Sequence, residues 1–129
     1  RGHVLNVSSV AGFQAAPGLA VYAATKAFVT SFTESLAVEL QGSGVTATAV
    51  CPGLTRTEFQ SVSSAGERSA GFPEFAWMTA EYVARAALAD CRRGKVVSIP
   101  GPVYKTLVAG SQALPRRIVR AVVGRGVRY

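Results

Sequence analysis

The sequence predicts an α/β fold with a parallel sheet, and two features of the chain lead to this class. Three short runs rich in β-branched residues begin near positions 4, 45 and 95, and each is followed by glycine or proline. Segments with helical periodicity lie between these runs and are long enough to cross from one parallel strand to the next. The composition agrees, because 49% of the 129 residues are hydrophobic and 16% are charged, as in a soluble globular domain.

The first strand and the first helix are predicted over residues 4–40. Val4–Ser8 is short, largely apolar and β-branched, which is typical of a buried strand. After a loop punctuated by glycine and proline, helical spacing runs from Ala20 to Leu40, and glycines follow its end. Four apolar side chains recur four residues apart along this helix and are expected to pack in the core: Phe28, Phe32, Leu36 and Leu40.

The rest of the predicted fold contains two more strands and a capped helix. Val45–Cys51 is a second buried strand, ended by a Pro-Gly pair. Residues 54–78 show no clear periodicity, and a long irregular segment in a compact domain is typically functional, for example a lid. Thr79 is a suitable N-cap for a helix that ends near Arg93, and Lys95–Ile99 forms the third strand.

Charged residues are distributed unequally along the chain. Residues 1–90 carry five basic and seven acidic side chains, whereas residues 91–129 carry nine basic and none acidic. Within the second part, residues 114–123 have apolar side chains at helical spacing. Three arginines lie between them: Arg116, Arg117 and Arg120. Such a basic amphipathic helix can lie on a membrane surface or against an acidic partner. Alternatively, its apolar side packs on its own domain and its arginines are solvated.

Several classes of protein and site are not supported by the sequence. No apolar run approaches the ~18 residues that cross a bilayer, and no signal peptide is recognisable, so we expect a cytoplasmic protein. Cys51 and Cys91 lack metal-ligand spacing and a nearby His, which predicts two buried free thiols and no metal site. The basic end lacks interleaved aromatic side chains, so nucleic-acid binding is not expected.

Tyr22 and Lys26 are the strongest candidates for chemistry. They are four residues apart near the start of the long helix, so both side chains project from one face. A phenol is a poor acid or base at neutral pH, but a neighbouring ammonium group favours its ionised form. Ser8 and Ser9 follow the first strand, at the edge where parallel sheets place ligand-binding groups. The other interpretation of the pair is a packed ring with a lysine that snorkels beside it.

A set of short motifs resembles the short-chain dehydrogenase/reductase family. The motifs are Asn6-Val-Ser-Ser9, Ala11-Gly12, Tyr22-Ala-Ala-Thr-Lys26, and Pro52-Gly53 after the second strand. In that family a serine lies thirteen residues before the catalytic tyrosine, where this chain has Ser9. A threonine lies four residues after the Pro-Gly glycine, where this chain has Thr57. The resemblance runs from about Gly2 to Thr57 and continues more loosely to about Pro100.

The resemblance implies the C-terminal half of a Rossmann-like, doubly wound parallel sheet, with about three strands, flanking helices and a basic C-terminal helix. It also implies an NAD- or NADP-dependent oxidoreductase that interconverts a small-molecule carbonyl and its alcohol by hydride transfer. Tyr22 would donate or accept the substrate proton, Lys26 would assist it and hold the nicotinamide ribose, and Ser9 would bind the reacting oxygen. Further cofactor contacts would come from Pro52, Gly53 and Thr57.

The resemblance also implies a domain organisation. Residues 1–113 would be part of the catalytic domain, with residues 58–78 as the substrate lid and residues 114–129 as a basic amphipathic tail. The family's Thr-Gly-x-x-x-Gly-x-Gly turn and its Asn-Asn-Ala-Gly stretch belong upstream of the strand that opens this chain. We therefore expect a fragment that by itself binds no cofactor and turns over no substrate, and whose first strand exposes a hydrogen-bonding edge.

Expectations about partners follow from the same features. In the resembled family the long helix meets its counterpart across a dimer interface, so we expect a homo-oligomer. Apolar side chains in the lid favour an apolar substrate such as a lipid-derived ketone: Phe59, Phe72, Phe75, Trp77 and Met78. The alternative function is a non-catalytic binding or membrane-surface protein that keeps a dehydrogenase-like half and uses its basic helix.

Overall fold

The computed structural model describes residues 1–62 and 71–126, and its main element is a three-stranded parallel sheet. The strands are β1 (Gly2–Val7), β2 (Val45–Val50) and β5 (Val97–Ser98), with β2 in the centre. A separate parallel pair joins β3 (Thr55–Arg56) to β4 (Met78–Thr79). The parallel pairing confirms the α/β class that the sequence predicts.

Helices connect these strands. The α-helices of the described residues are α1 (Ala20–Glu39), α2 (Phe59–Val62), α3 (Ala80–Arg92), α4 (Pro102–Ala113) and α5 (Arg116–Arg125). Two 3-10 helices, Val10–Phe13 and Glu74–Ala76, lie between them. Helices α1 and α3 pack against the main sheet, so the alternation of strands and helices in the sequence corresponds to layers in the fold.

The ends of the helices follow from local chemistry. As predicted, Thr79 caps α3, because its hydroxyl accepts a hydrogen bond from the Tyr82 N–H at 3.1 Å. Gly94 ends the same helix with a φ of 71°, a conformation that favours glycine. The sequence analysis did not predict α4, which begins with Pro102 after Gly101, whose φ is 87°.

The core between β1, β2 and α1 contains many small polar side chains. Asn6 Nδ2 donates to Thr33 Oγ1 at 2.9 Å, and Thr33 is fully buried. Thr33 in turn donates to the carbonyl of Val29 at 2.7 Å. Cys51 and Cys91 are buried and free, as predicted. Burial raises the pKa of the Cys51 thiol, although hydrogen bonds with Thr30 and Ser8 oppose this effect.

The aromatic part of the predicted stripe of α1, Phe28 and Phe32, does not pack in the core, so the prediction is wrong for these two residues, whereas Leu36 and Leu40 are half-buried. Phe28 is 68% exposed and Phe32 is 51% exposed, while their rings stack on each other with centroids 6.0 Å apart. The side chains that α1 buries are small or carry a hydroxyl: Ala23, Thr30 and Thr33. These side chains can be buried because Ala23 is small and apolar and because the hydroxyls of Thr30 and Thr33 are hydrogen-bonded, whereas Phe28 and Phe32 face outwards.

Strand β1 lies at the edge of the main sheet. It pairs with β2 over six residues, from Gly2 opposite Val45 to Val7 opposite Val50. Among the described residues, nothing pairs with its other side, in agreement with the expected exposed edge. Val7 is 61% exposed at the end of this strand.

The basic helix α5 is held only loosely by the rest of the domain. None of its residues is buried. Val119 and Val123 are half-buried, whereas Ile118 and Val122 are 41% and 63% exposed. The apolar side chains of this helix therefore point in two directions, and the predicted packing on its own domain is partial.

Two predicted segments extend past the described residues. Residues 63–70 of the predicted lid and residues 127–129 of the predicted tail lie outside them. Within residues 1–62 and 71–126, no helix combines the length and apolar character needed to span a membrane.

Candidate active site

The two serines after β1 have different surroundings. Ser8 is 2% exposed, and its hydroxyl donates to the carbonyl of Lys26 at 2.8 Å and lies 2.6 Å from Thr30 Oγ1. Ser9 is 8% exposed and caps the 3-10 helix, with its Oγ accepting the Ala11 N–H at 3.1 Å. Within the described residues the Ser9 hydroxyl proton has no acceptor. Ser8 therefore ties β1 to α1, whereas Ser9 keeps a proton that it can donate.

The 3-10 helix after Ser9 packs tightly on α1. A Cβ added to Gly12 would lie 2.8 Å from the Ala27 nitrogen and 2.9 Å from the Lys26 carbonyl carbon. Only glycine permits this approach. Gln112 of α4 also reaches this turn and donates to the carbonyl of Phe13 at 3.1 Å. The turn that starts at Ser9 is thus fixed beside the helix that carries Lys26.

Tyr22 and Lys26 project from the same face of α1, as their spacing predicts. The ammonium nitrogen of Lys26 lies 5.6 Å from the centre of the Tyr22 ring. It also donates to the carbonyl of Val7, at the end of β1, at 3.2 Å. Both side chains are half-buried, and no described residue binds the Tyr22 hydroxyl. The phenol is therefore available to a ligand, with a cation beside its ring.

The start of the predicted lid contacts Tyr22. The ring of Phe59, the first residue of α2, lies with its centroid 5.7 Å from that of Tyr22. Thr57 supports the start of this helix, because its hydroxyl accepts the Phe59 N–H at 3.3 Å. Phe72 and Phe75 are exposed and make no ring contact with Tyr22 in the described residues. Of the predicted lid aromatics, the structure thus brings Phe59 to the tyrosine.

The turn after β2 is joined to the Ser9 turn and to α4. The carbonyl of Pro52 accepts the Val10 N–H at 3.1 Å. Gly53 faces the ring of Tyr104, and a Cβ at Gly53 would lie 2.2 Å from the ring carbon Cζ. No short motif contains Tyr104, so no sequence signal predicts its role. Its burial, 9% exposed, is visible only in the fold.

An open cleft of about 600 Å³ lies elsewhere on α1 and is a different feature. Its walls include Ala23, Ala24 and Ala27 of α1 together with Arg116 and Arg120 of α5. None of the predicted catalytic residues lines it. The candidate active site is therefore the surface that carries Tyr22, Lys26 and Phe59, next to the turn that starts at Ser9, rather than this cleft.

A comparison with protein families matches the first half of the chain to a known family. The model of the short chain dehydrogenase family matches residues 1–68, which is more than half of the 129 residues. The chain belongs to the short-chain dehydrogenase/reductase family. The match includes every predicted site residue from Ser9 to Thr57, and it supports an oxidoreductase.

Individual relatives of this short-chain dehydrogenase agree with the family match. Sulfoacetaldehyde reductase 2 of Chromohalobacter salexigens is 48% identical over 67 residues, which are 52% of this chain and 27% of that protein. A short-chain dehydrogenase from Sphingobium yanoikuyae, solved in complex with NADPH, is 35% identical with a TM-score of 0.63, over 84% of this chain and 43% of that one. A 7β-hydroxysteroid dehydrogenase is 31% identical with a TM-score of 0.75, over 96% of this chain and 46% of that one.

These structures confirm that the parallel sheet and its helices form part of a Rossmann-like α/β domain. The chain spans less than half the length of the solved proteins and about a quarter of the curated relative. The names of the relatives describe reductases and dehydrogenases, so they do not favour the non-catalytic alternative.

Proposed function

We propose that the chain supplies the catalytic part of an NAD- or NADP-dependent oxidoreductase that interconverts a carbonyl and an alcohol. The observation that carries this proposal is the position of the Lys26 ammonium, 5.6 Å from the centre of the Tyr22 ring. The neighbouring turn presents Ser9, and the family membership supports the same chemistry. A tyrosine proton donor, a cation and a hydroxyl donor are the groups that a carbonyl reduction requires.

Each side chain has a separate role in the proposed reaction. In the reduction, the Tyr22 O–H gives its proton to the substrate oxygen, and in the oxidation the phenolate takes that proton back. Lys26 stabilises the phenolate that remains, because its ammonium group is held near the ring by the carbonyl of Val7. Ser9 donates a hydrogen bond to the same substrate oxygen and so fixes the carbonyl for proton transfer.

The side chains present fit the nicotinamide end of a dinucleotide. Lys26 uses one of its three N–H donors for Val7 in the described contacts, so two remain for the ribose hydroxyls. Pro52, Gly53 and Thr57 would form the adjoining wall. Because Tyr104 fills the space beside Gly53, contact there would use the backbone. When bound, NADPH or NADH would supply the hydride for the reduction, and NADP or NAD would accept it in the oxidation.

In this proposal, the amides that bind the pyrophosphate come from outside these 129 residues. The sequence contains no Thr-Gly-x-x-x-Gly-x-Gly turn, which at a helix N-terminus holds that group. We therefore expect no tight, saturable NADPH binding by the 129 residues alone. Reading the gene upstream of Arg1 tests this directly: a frame that contains the glycine-rich turn supports the proposal, and saturable binding by the isolated chain contradicts it.

An apolar carbonyl compound is the substrate class that we propose. Phe59 is 46% exposed, and its ring lies 5.7 Å from that of Tyr22. It therefore offers an apolar surface beside the proposed proton donor. The relative that acts on a hydroxysteroid is consistent with this class. A panel of ketones from short and polar to long and apolar tests this class. Assayed with the intact protein, which is the product of the complete gene, it should give the highest kcat/KM for the apolar members. Preference for the polar members would exclude the class.

The Tyr22→Phe variant of the intact protein tests the catalytic assignment. We expect kcat to fall by about 10²–10⁴-fold, the usual contribution of a positioned general acid. Tyr82→Phe is the matched control, because Tyr82 lies on α3, is 48% exposed and has no described side-chain hydrogen bond. Unchanged turnover in Tyr22→Phe would overturn the assignment, and equal losses in both variants would attribute the effect to folding.

The exposed aromatic stripe of α1 supports a homo-oligomer. Phe28 and Phe32 stack on one another at the surface, and Val38 is 64% exposed on the same helix. A second copy of this helix would cover such a face. Phe28→Glu combined with Phe32→Glu should dissociate the oligomer in analytical ultracentrifugation, while Glu34→Gln on the same helix should not. An intact protein that sediments as a monomer contradicts this proposal.

The basic helix α5 supports peripheral contact with an anionic membrane. Ile118 and Val122 are exposed, and four arginines lie on the helix: Arg116, Arg117, Arg120 and Arg125. Each basic residue near an anionic bilayer adds about 1 kcal/mol of attraction. The intact protein should sediment with phosphatidylserine vesicles but not with phosphatidylcholine vesicles. Replacing Arg116, Arg117 and Arg120 by Gln should abolish this binding, and unchanged sedimentation would contradict it.

A further inference from the structure

Tyr104 joins two segments of the candidate site that are distant in the sequence. Its ring is buried at the start of α4, and its hydroxyl accepts the Leu54 N–H at 3.0 Å. The same hydroxyl donates to the carbonyl of Ala76 at 2.7 Å. Leu54 follows the Pro52-Gly53 turn, whereas Ala76 lies near the end of the predicted lid, in the part that returns to β4. One phenol therefore satisfies a backbone donor on one segment and a backbone acceptor on the other.

The ring of Tyr104 also packs against the Pro52-Gly53 turn. A Cβ at Gly53 would meet three ring carbons of Tyr104 at 2.2 to 2.4 Å, so the ring lies directly on the glycine backbone. The Leu54 carbonyl accepts the Met78 N–H at 2.9 Å, where the return segment enters β4. Both backbone groups of Leu54 are thus bound, one by Tyr104 and the other by the return segment.

We propose that Tyr104 is a positioning residue that couples the Pro52-Gly53-Leu54 turn to the lid return segment, residues 74–79. This inference rests on the proposed function, in which that turn contacts the nicotinamide. A nicotinamide dinucleotide that contacts the turn then stabilises the return segment as well, because the Tyr104 hydroxyl is bound to both segments. Tyr104 itself touches neither substrate nor reacting atoms in this role.

The environment of the Tyr104 hydroxyl agrees with a fixed, neutral bridge. Burial raises the pKa of this phenol, and the hydrogen bond from the Leu54 N–H only partly opposes the effect. A neutral phenol can accept from Leu54 and donate to Ala76 at the same time, whereas a phenolate can only accept. The bridge therefore persists throughout the neutral pH range.

Hydrogen exchange of the intact protein tests the coupling without using activity. Peptides that cover residues 52–58 and 71–79 are followed by mass spectrometry, with and without NADPH, in the wild type, Tyr104→Phe and Tyr82→Phe. Phenylalanine keeps the ring against Gly53 but can neither accept from Leu54 nor donate to Ala76. Without NADPH, we expect exchange at Leu54 to accelerate by about tenfold or more in Tyr104→Phe and to stay unchanged in Tyr82→Phe.

The response to NADPH decides the proposal. In the wild type and in Tyr82→Phe, NADPH should protect both peptides with the same midpoint concentration. In Tyr104→Phe it should protect residues 52–58 but no longer residues 71–79. Equal protection of residues 71–79 in all three proteins would overturn the coupling. If Tyr104→Phe does not fold, the wild type alone decides, because protection confined to residues 52–58 would also overturn it.

The proposed function can fail separately from this inference. A wild-type protein that binds neither NADPH nor NADH contradicts the proposed oxidoreductase. The comparison without NADPH still tests the bridge in that case: accelerated exchange at Leu54 in Tyr104→Phe supports it, and unchanged exchange overturns it. A rise in the substrate KM with unchanged cofactor affinity in Tyr104→Phe would further support the coupling, because it places the defect at the lid.

Discussion

The β1–α1–β2 region and the C-terminal helices α4 and α5 are held together in different ways. In the first region, hydroxyl and amide groups inside the fold bond to one another and to α1, as Ser8 does with Thr30 and the Lys26 carbonyl. In the second region, Tyr104 is the buried residue of α4, and α5 buries none. One region is fixed by a network, and the other is attached mainly at a single residue.

The β1–α1–β2 region is therefore expected to be rigid, whereas the C-terminal helices are attached to it at a few contacts. The network region carries Ser9, Tyr22 and Lys26, and the proposed proton transfer requires their relative positions to be kept within fractions of an ångström. The C-terminal helices reach the site through Tyr104 and, at the Ser9 turn, through Gln112. A substitution should therefore be costly throughout the first region but costly only near these contacts in the second.

Gly53→Ala should give the largest loss of stability, because Gly53 is packed directly against Tyr104, the residue that joins α4 to the turn after β2. The new Cβ would lie 2.2 Å from the ring of Tyr104, so the ring or the turn must move. We expect the free energy of unfolding of the intact protein to fall by about 3 kcal/mol, measured by urea unfolding. Gly110→Ala in α4 is the control, since nothing lies within 4 Å of its added Cβ. It should stabilise the helix slightly, and equal losses in both variants would refute the comparison.

Ser8→Ala and Ser9→Ala should separate stability from activity within the network region. Ser8→Ala leaves the Lys26 carbonyl with one bond fewer and removes a buried hydroxyl contact, which should cost about 2 kcal/mol of unfolding free energy. Ser9→Ala loses a cap on a four-residue 3-10 helix, worth about 1 kcal/mol at most. Its kcat, however, should fall more than that of Ser8→Ala. The reverse order in kcat would assign the donor role to Ser8.

Asp90→Asn should have a moderate, pH-dependent effect near the end of α3. Burial favours protonation of this carboxyl, but hydrogen bonds from Ser98 and Lys95 outweigh it, so the pKa of Asp90 is lowered. Because the pKa of Asp90 is lower in the folded state, the ionised carboxylate stabilises the fold at pH values above its unfolded pKa of about 4. This stabilisation is lost as the pH falls through the folded pKa. The variant should be about 1 kcal/mol less stable at pH 7, and the difference from the wild type should shrink as the pH falls below about 4. A pH-independent difference would contradict this explanation.

Val122→Ala should have the smallest effect, because Val122 is 63% exposed on α5. We expect its unfolding free energy to stay within about 0.5 kcal/mol of the wild type. Val50→Ala in β2 is the matched change in the network region, where Val50 is 3% exposed, and it should cost about 2 kcal/mol. Similar losses for the two variants would show that α5 is packed as firmly as β2.

Local features of the sequence predicted the three strands of the main sheet and the helices α1, α3 and α5. The alternation of apolar runs and helical spacing was sufficient for the parallel sheet, because both signals arise within a few residues. The spacing of Tyr22 and Lys26 placed them on one face for the same reason. The Thr79 cap and the position of Gly94 also followed from local backbone chemistry.

Long-range packing explains what the sequence analysis missed. The repeat of Phe28 and Phe32 marks an apolar face of α1 but contains no information on what covers it, and the sheet instead meets Thr30 and Thr33. The motif spacing singled out Ser9, but it contained no information on the hydrogen bonds by which the adjacent Ser8 is bound to α1.

By itself, the sequence determined the α/β class, the family, and the spacing that sets Tyr22 beside Lys26. These properties depend on residues a few positions apart, where backbone geometry alone fixes the relative directions of side chains. The tertiary structure decided that Tyr104 bridges Leu54, 50 residues away, and Ala76, 28 residues away. Such contacts form only when separate segments fold against each other, because no local periodicity encodes which distant backbone group a buried hydroxyl will meet.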